Sequence, residues 1–184
     1  MSGRFFALSA TLSKKWFWAG AFLAPDDPYF LKGMKGFKGT VRLKIQSGIV
    51  AGDFLGNSHG LLVVTDKVLE VWDKFDVRYE TYGVCIEGRV SPFEYVGVAV
   101  LGKGGPFDPV RSNAQYEYRL REDGKPTLMG MNGLYFDEEE WDGTDLFMIP
   151  DLGRSYIITE RLAVAMQKAG LTNVEYRPTE TVCF

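Results

Sequence analysis

Six carboxylates fall within nine residues in Asp137-Glu138-Glu139-Glu140-Trp141-Asp142-Gly143-Thr144-Asp145, the one strong charge run in the chain. Carboxylate oxygens suit hard cations such as Ca²⁺ or Mg²⁺. The run lacks the D-x-D/N-x-D/N-G spacing of a calcium loop, so metal binding is not indicated. Recognition is the second use, because an acidic patch around an aromatic anchor can dock a basic partner, with charge steering the encounter. Asp137, Glu138, Glu139, Glu140, Trp141 and Asp142 are therefore the candidate partner-binding residues, against the plainer reading of a solvated loop. The 24 acids of the chain also offer many pairs for carboxylate-based hydrolysis, and nothing in their spacing selects one.

Other chemistry is sparse. His59 is the only histidine, so histidine-rich zinc sites and catalytic arrangements built on a histidine base have at most this one residue to use. It sits in Gly56-Asn57-Ser58-His59-Gly60, turn chemistry that predicts a solvent-facing loop histidine, and Ser58 is not in a G-x-S-x-G elbow. Cys85 and Cys183 match no ligand spacing and read as two buried thiols in a reducing compartment. Gly102-Lys103-Gly104-Gly105 lacks the G-x-x-x-x-G-K-S/T spacing of a phosphate loop and runs into Pro106, which predicts a hairpin turn. No catalytic residue, metal ligand or cofactor is indicated.

Charge narrows the partners. The net charge of -3 and pI near 5.3 argue against a general nucleic-acid binder, which needs a basic stripe to neutralise phosphates. A membrane surface is disfavoured by the same lack of a polybasic run. The apolar run Phe5-Phe6-Ala7-Leu8-Ser9-Ala10 is shorter than the about 7–15 residues of a signal sequence and reads as a strand. The expectation is a cytoplasmic protein.

These residues must be held by a β-rich frame. At 184 residues, with 46% hydrophobic and 14% aromatic content, the chain can bury a core without metal or disulfide support. Val41-Arg42-Leu43-Lys44-Ile45 alternates as a half-buried strand should. Trp16-Phe17-Trp18 predicts a strand burying alternate aromatics, and Leu31 to Gly39 a turn-rich stretch. Glu94–Leu101, Gln115–Arg121 and Tyr156–Ile158 are further strands, with an Asp123-Gly124 turn among them. Val68, Leu69, Trp72 and Phe75 fall on one helical face with Thr65 as its cap.

A second helix repeats the first. Val63-Val64-Thr65-Asp66-Lys67-Val68 matches Ile157-Ile158-Thr159-Glu160-Arg161-Leu162 in chemistry at every position, and Trp72 then aligns with Met166. A three-residue gap aligns Val77-Arg78-Tyr79 with Val174-Glu175-Tyr176, and Asp53-Phe54-Leu55 stands near where Asp145-Leu146-Phe147 falls. Duplication and shared helix-entry chemistry (a cap, an acid, then a base) are the two explanations. The fold expectation is α+β: a largely antiparallel sheet with two short amphipathic helices. No linker divides the chain, so residues 1–184 read as one domain with candidate repeat units 53–79 and 145–176.

Asp145-Leu146-Phe147, the glycine Gly153, Ile157-Ile158-Thr159-Glu160-Arg161-Leu162 and Ala169-Gly170-Leu171-Thr172-Asn173-Val174-Glu175-Tyr176 together carry a resemblance. The segment 145–177 resembles the C-terminal signature of the eleventh numbered family of immunity proteins from bacterial polymorphic toxin systems. Residues 61–79 resemble it more loosely, and the first 50 residues give no support. Thr159 stands where serine is common and Asn173 where glycine is common, both compatible with the same geometry. The matching residues have structural roles: a cap at Thr159, a first helical turn at Glu160 and Arg161, and a helix stop at Gly170. The resemblance implies a cytoplasmic antitoxin that binds and blocks a cognate toxin, often a nuclease, encoded beside it. An adaptor or chaperone for a secreted effector is the alternative, and a carboxylate-based hydrolase a more distant one.

Overall fold

Alternation decides where the strands lie. In β3 (Thr40–Ser47) Val41, Leu43 and Ile45 are buried while Arg42 and Lys44 face solvent, the half-buried pattern expected from a period of two. The computed structural model describes residues 4–21, 33–120, 126–150, 152 and 155–183. Leu31, Lys32, Arg121, Gly153 and the Asp123-Gly124 turn lie outside the described residues. The other elements are β1 (Phe5–Ala10), β2 (Trp18–Ala21), β4 (Gly56–Asn57), β5 (Leu62–Val64), α1 (Asp66–Trp72), β6 (Tyr79–Glu87), β7 (Val96–Val100), β8 (Gln115–Leu120) and β9 (Pro126–Gly130). β10 (Leu146–Met148), β11 (Tyr156–Thr159), α2 (Glu160–Lys168), β12 (Val174–Pro178) and a 3-10 turn (Thr179–Thr181) close the chain. The protein is α+β, as expected, and no helix among the described residues is long and apolar enough to cross a membrane.

Among the described residues the strands form three sheets. One is fully antiparallel in the order β10-β11-β1-β12, and β8-β9 is a separate hairpin. The third, β4-β2-β3-β6-β7-β5, is mixed, with parallel pairs at β2/β4 and β3/β6. Within them lie two split β-α-β units. β5, α1 and β6 form one, with β7 inserted antiparallel between the strands. β11, α2 and β12 form the other, with β1 in the inserted place. The first strand of the chain thus completes the unit built by the last ones.

Register shows how closely the units correspond. Val64 faces Val96 and Ile158 faces Phe6, so Val96 and Phe6 occupy matching places. Four residues on, Val100 faces Tyr79 and Ala10 faces Val174. Tyr79 therefore corresponds to Val174, two residues earlier than a match of Tyr79 with Tyr176. The difference arises at the helix exits. α2 stops through Gly170 at φ 62, whose N–H donates to Gln167 O at 3.0 Å while Leu171 N–H donates to Met166 O at 3.4 Å. This is a compact Schellman stop. α1 unwinds through looser turns at Lys74 and Phe75.

Both helices enter one core with the facing surfaces of both units, among them Leu8, Val98, Ile158 and Leu162. At its centre Trp72 Nε1 donates to Met166 Sδ at 3.4 Å, both residues fully buried. These are corresponding positions, and a contact between equivalent residues is the mark of a two-fold arrangement. The opposite sheet faces have their own clusters, Phe17, Leu43, Leu55 and Tyr95 on one side and Phe5, Phe136, Phe147 and Ile157 on the other.

Three expectations are corrected. Thr65 and Thr159 occupy the N-cap positions, but neither hydroxyl caps its helix. Each donates instead to an upstream aspartate, a stronger charge-assisted acceptor. Cys85 and Cys183 are exposed free thiols, not buried ones; Cys85 lies between Val84 and Ile86, which turn inward to a core, so strand alternation turns it outward. The strand expected at Trp16–Trp18 starts only at Trp18, with Phe17 buried and its neighbours half-buried.

Trp72→Ala should destabilise by about 3–5 kcal/mol through the cavity left between the units. Gly170→Ala should cost about 1–2 kcal/mol by forcing a side chain into the left-handed region. Urea unfolding checks both: the midpoint falls while the slope stays unchanged.

Candidate functional site

Asp145, the last acid of the charged run, is fully buried. Burial of a carboxylate demands donors on every side, and the fold supplies them. Thr159 Oγ1 and Arg161 Nε (2.5 Å) donate to Oδ1, while Arg161 Nη2 (2.6 Å) and the Asp76 N–H (3.1 Å) donate to Oδ2. The carboxylate holds Arg161 above the ordinary arginine range through that hydrogen bonding and charge. Asp53, 4% exposed, repeats the design. It accepts from Thr65 Oγ1 at 3.2 Å, from Thr172 Oγ1 at 2.7 Å and N–H at 2.8 Å, and Lys67 Nζ stands 3.7 Å away.

The closure is reciprocal. Asp145 receives the chain leaving α1 at Asp76, and Asp53 receives the chain leaving α2 at Thr172. Asn173, at φ 57, also donates Nδ2 to Phe54 O at 2.6 Å. Asp145, Thr159, Arg161, Gly170 and Asn173, which carry the sequence signature, therefore build the architecture.

The acidic segment preceding Asp145 is split by the fold. Asp137, Glu138, Glu139 and Glu140 are exposed. Asp137 turns the chain by accepting from the Glu139 N–H at 2.9 Å, and Glu138 pairs with Arg4 at 3.0 Å. Trp141 is half-buried, its ring 5.2 Å from Phe5 and 5.6 Å from Phe147, with Nε1 donating to Thr144 O at 3.0 Å. Asp142 accepts from Thr144 Oγ1 at 2.6 Å and the Lys103 N–H at 2.9 Å. Partial burial pushes the Asp142 carboxyl up, but the Thr144 hydroxyl, the Lys103 and Thr144 amides and Arg78 outweigh it and hold it below the ordinary range. Of the six candidate partner-binding residues, Asp137 to Glu140 present carboxylates to solvent, while Trp141 and Asp142 fasten the segment down.

Gly102-Lys103-Gly104-Gly105 is part of that fastening and not the hairpin turn expected. It runs alongside β10, with Gly104 N–H donating to Met148 O at 2.9 Å and Met148 N–H to Gly102 O at 3.2 Å. A side chain on Gly105 would overlap the Asp137 carbonyl, and one on Gly104 would meet the Phe147 ring, so close approach explains both glycines. His59 is half-buried and its Nδ1 lies 2.9 Å from Ser58 Oγ. Among the described residues no group of three or more His, Cys, Asp or Glu side chains gathers to hold a metal ion.

The structure adds a feature that no motif marks. A cleft of about 200 Å³ opens between the end of β1 and the β4–β5 segment, walled by Leu8, Ala10, Trp18, Leu55 and Leu62 and edged by Leu12 and Arg177. These residues come from distant parts of the chain. The one sequence sign is Leu12, an apolar residue just beyond a strand, which proves 75% exposed.

The chain matches no protein-family model and no curated protein sequence.

Asp145→Ala should leave the buried Thr159 hydroxyl without its acceptor and cost about 1–3 kcal/mol for that group; the midpoint of thermal unfolding checks it. For Asp142 the folded carboxyl titrates below its unfolded value, so its contribution is present above that value and is lost as pH falls through the folded one. Wild type should therefore lose melting temperature faster than Asp142→Asn between about pH 5 and pH 2, measured by circular dichroism.

Proposed function

We propose that this chain is an immunity protein that binds and neutralises a cognate bacterial toxin, stoichiometrically and without turnover. Two things support the reading. The first is the resemblance of residues 145–177 to the immunity-family signature, whose residues form one closed hydrogen-bonded frame here. The second, which carries the interface, is the acidic edge at Asp137–Glu140, fastened by Trp141 and Asp142 with all four acids exposed to solvent. A fixed acidic edge is suited to a basic partner such as a nuclease, since charge complementarity speeds association and excludes wrong partners. The reading places the protein in the cytoplasm, with its toxin encoded by the adjacent gene.

Co-expression with the product of the adjacent gene should restore growth and yield a co-purifying complex; failure of both rejects the proposal. If only the targeting region of that product co-purifies and its toxic domain stays active, the protein is an effector adaptor instead. The triple variant Glu138→Lys, Glu139→Lys and Glu140→Lys should slow association by roughly tenfold and flatten its salt dependence. Stopped-flow association at two ionic strengths measures this, and an unchanged rate removes the acidic edge from the interface.

A further inference from the structure

The cleft beside β1 has a chemistry separate from the acidic edge. Its wall is apolar, formed by the buried side chains of Leu8, Leu55 and Leu62 and by the half-buried Ala10 and Trp18. The lining holds three uncharged polar residues, Ser9, Asn57 and Tyr156, and the last two are committed to main chain. Asn57 Nδ2 donates to Leu61 O at 2.8 Å and its Oδ1 accepts from the Leu61 N–H at 2.9 Å, while the Tyr156 hydroxyl donates to Gly60 O at 3.1 Å. Arg177 is the one charged residue lining the cleft among the described residues. Its side chain is 47% exposed, and its pairing with Glu175 is a 3.7 Å surface contact, a kind worth little. A guanidinium carries five donors in a planar fork that matches a carboxylate, so this contact leaves capacity at the mouth.

Size sets the body of the ligand. An apolar cavity of roughly 150 Å³ accepts a benzene ring, so a cleft of about 200 Å³ has room for one ring or a short aliphatic chain. Leu12 on the lip extends the apolar surface outward and is 75% exposed. One guanidinium beside such a wall complements a single negative charge attached to an apolar body. We infer that this cleft is a binding site for a small monocarboxylate with an aromatic or short aliphatic body, the body lying against Trp18 and Leu8 and the carboxylate on Arg177. This site is independent of toxin binding and lies away from the acidic edge.

Calorimetric titration of the full chain tests it with three probes: 3-phenylpropionate, 3-phenylpropylamine and propionate. The aromatic acid should bind saturably and at least tenfold more tightly than the amine, which has the same body and the opposite charge, or than propionate, which has the charge alone. Arg177→Gln and Leu12→Asp alter exposed positions and should each weaken the acid at least tenfold while leaving the melting temperature in place. Saturable binding that persists in both variants, equal binding of amine and acid, or no saturable binding of the acid to wild type overturns the inference.

Discussion

Everything in this protein hangs on two carboxylates taken out of water. Removing an ionised group from solvent costs several kcal/mol unless hydrogen bonds and opposite charge replace the lost hydration. Asp145 meets that demand with a threonine hydroxyl, a bidentate arginine and a backbone amide. Asp53 meets it with two threonine hydroxyls, a backbone amide and a more distant lysine. Each aspartate needs donors from its own helix start and from the exit of the other helix. Neither unit can therefore satisfy its buried charge alone, and the two halves are tied together by a requirement of solvation as well as by apolar packing.

That reciprocity explains the form of the core. The helices meet through Trp72 and Met166, the same position in each unit, and the strands flanking them match in register up to the exits. The inserted strand is supplied differently in the two cases. β7 follows β6 directly, whereas β1 comes from the start of the chain and closes the sheet that the last strands build. Contacts spanning nearly the whole sequence are thus built into the architecture, which favours slow assembly because long loops must close before such contacts form.

The same frame separates two surfaces. Arg4, paired with Glu138, stands just before β1, and the apolar cleft begins at Leu8–Leu12 as the strand ends. Six residues of extended chain span roughly 20 Å. The acidic edge is therefore tied to the start of β1, and the apolar cleft lies along its second half and beyond it.

Much of the frame is legible in the residues themselves. Alternation in Val41–Ile45, the apolar face of α1 and the glycine and asparagine at the exit of α2 follow from local sterics, which one stretch of chain contains entirely. The likeness of Thr65-Asp66-Lys67 to Thr159-Glu160-Arg161 is likewise visible, but its meaning is not. Local rules assign those threonines to helix caps. Only the folded chain brings a carboxylate within reach, and a charged acceptor then wins the hydroxyl. The acidic run is plain as a run, yet its division into exposed Asp137–Glu140, anchoring Trp141 and Asp142 and buried Asp145 depends on Phe5, Phe147 and Lys103 arriving from elsewhere. The cleft is the extreme case: Leu12, Trp18, Leu55 and Arg177 have no common pattern, and only tertiary structure makes them neighbours. Periodicity and turn chemistry are written residue by residue, whereas desolvation and concavity arise from which segments meet.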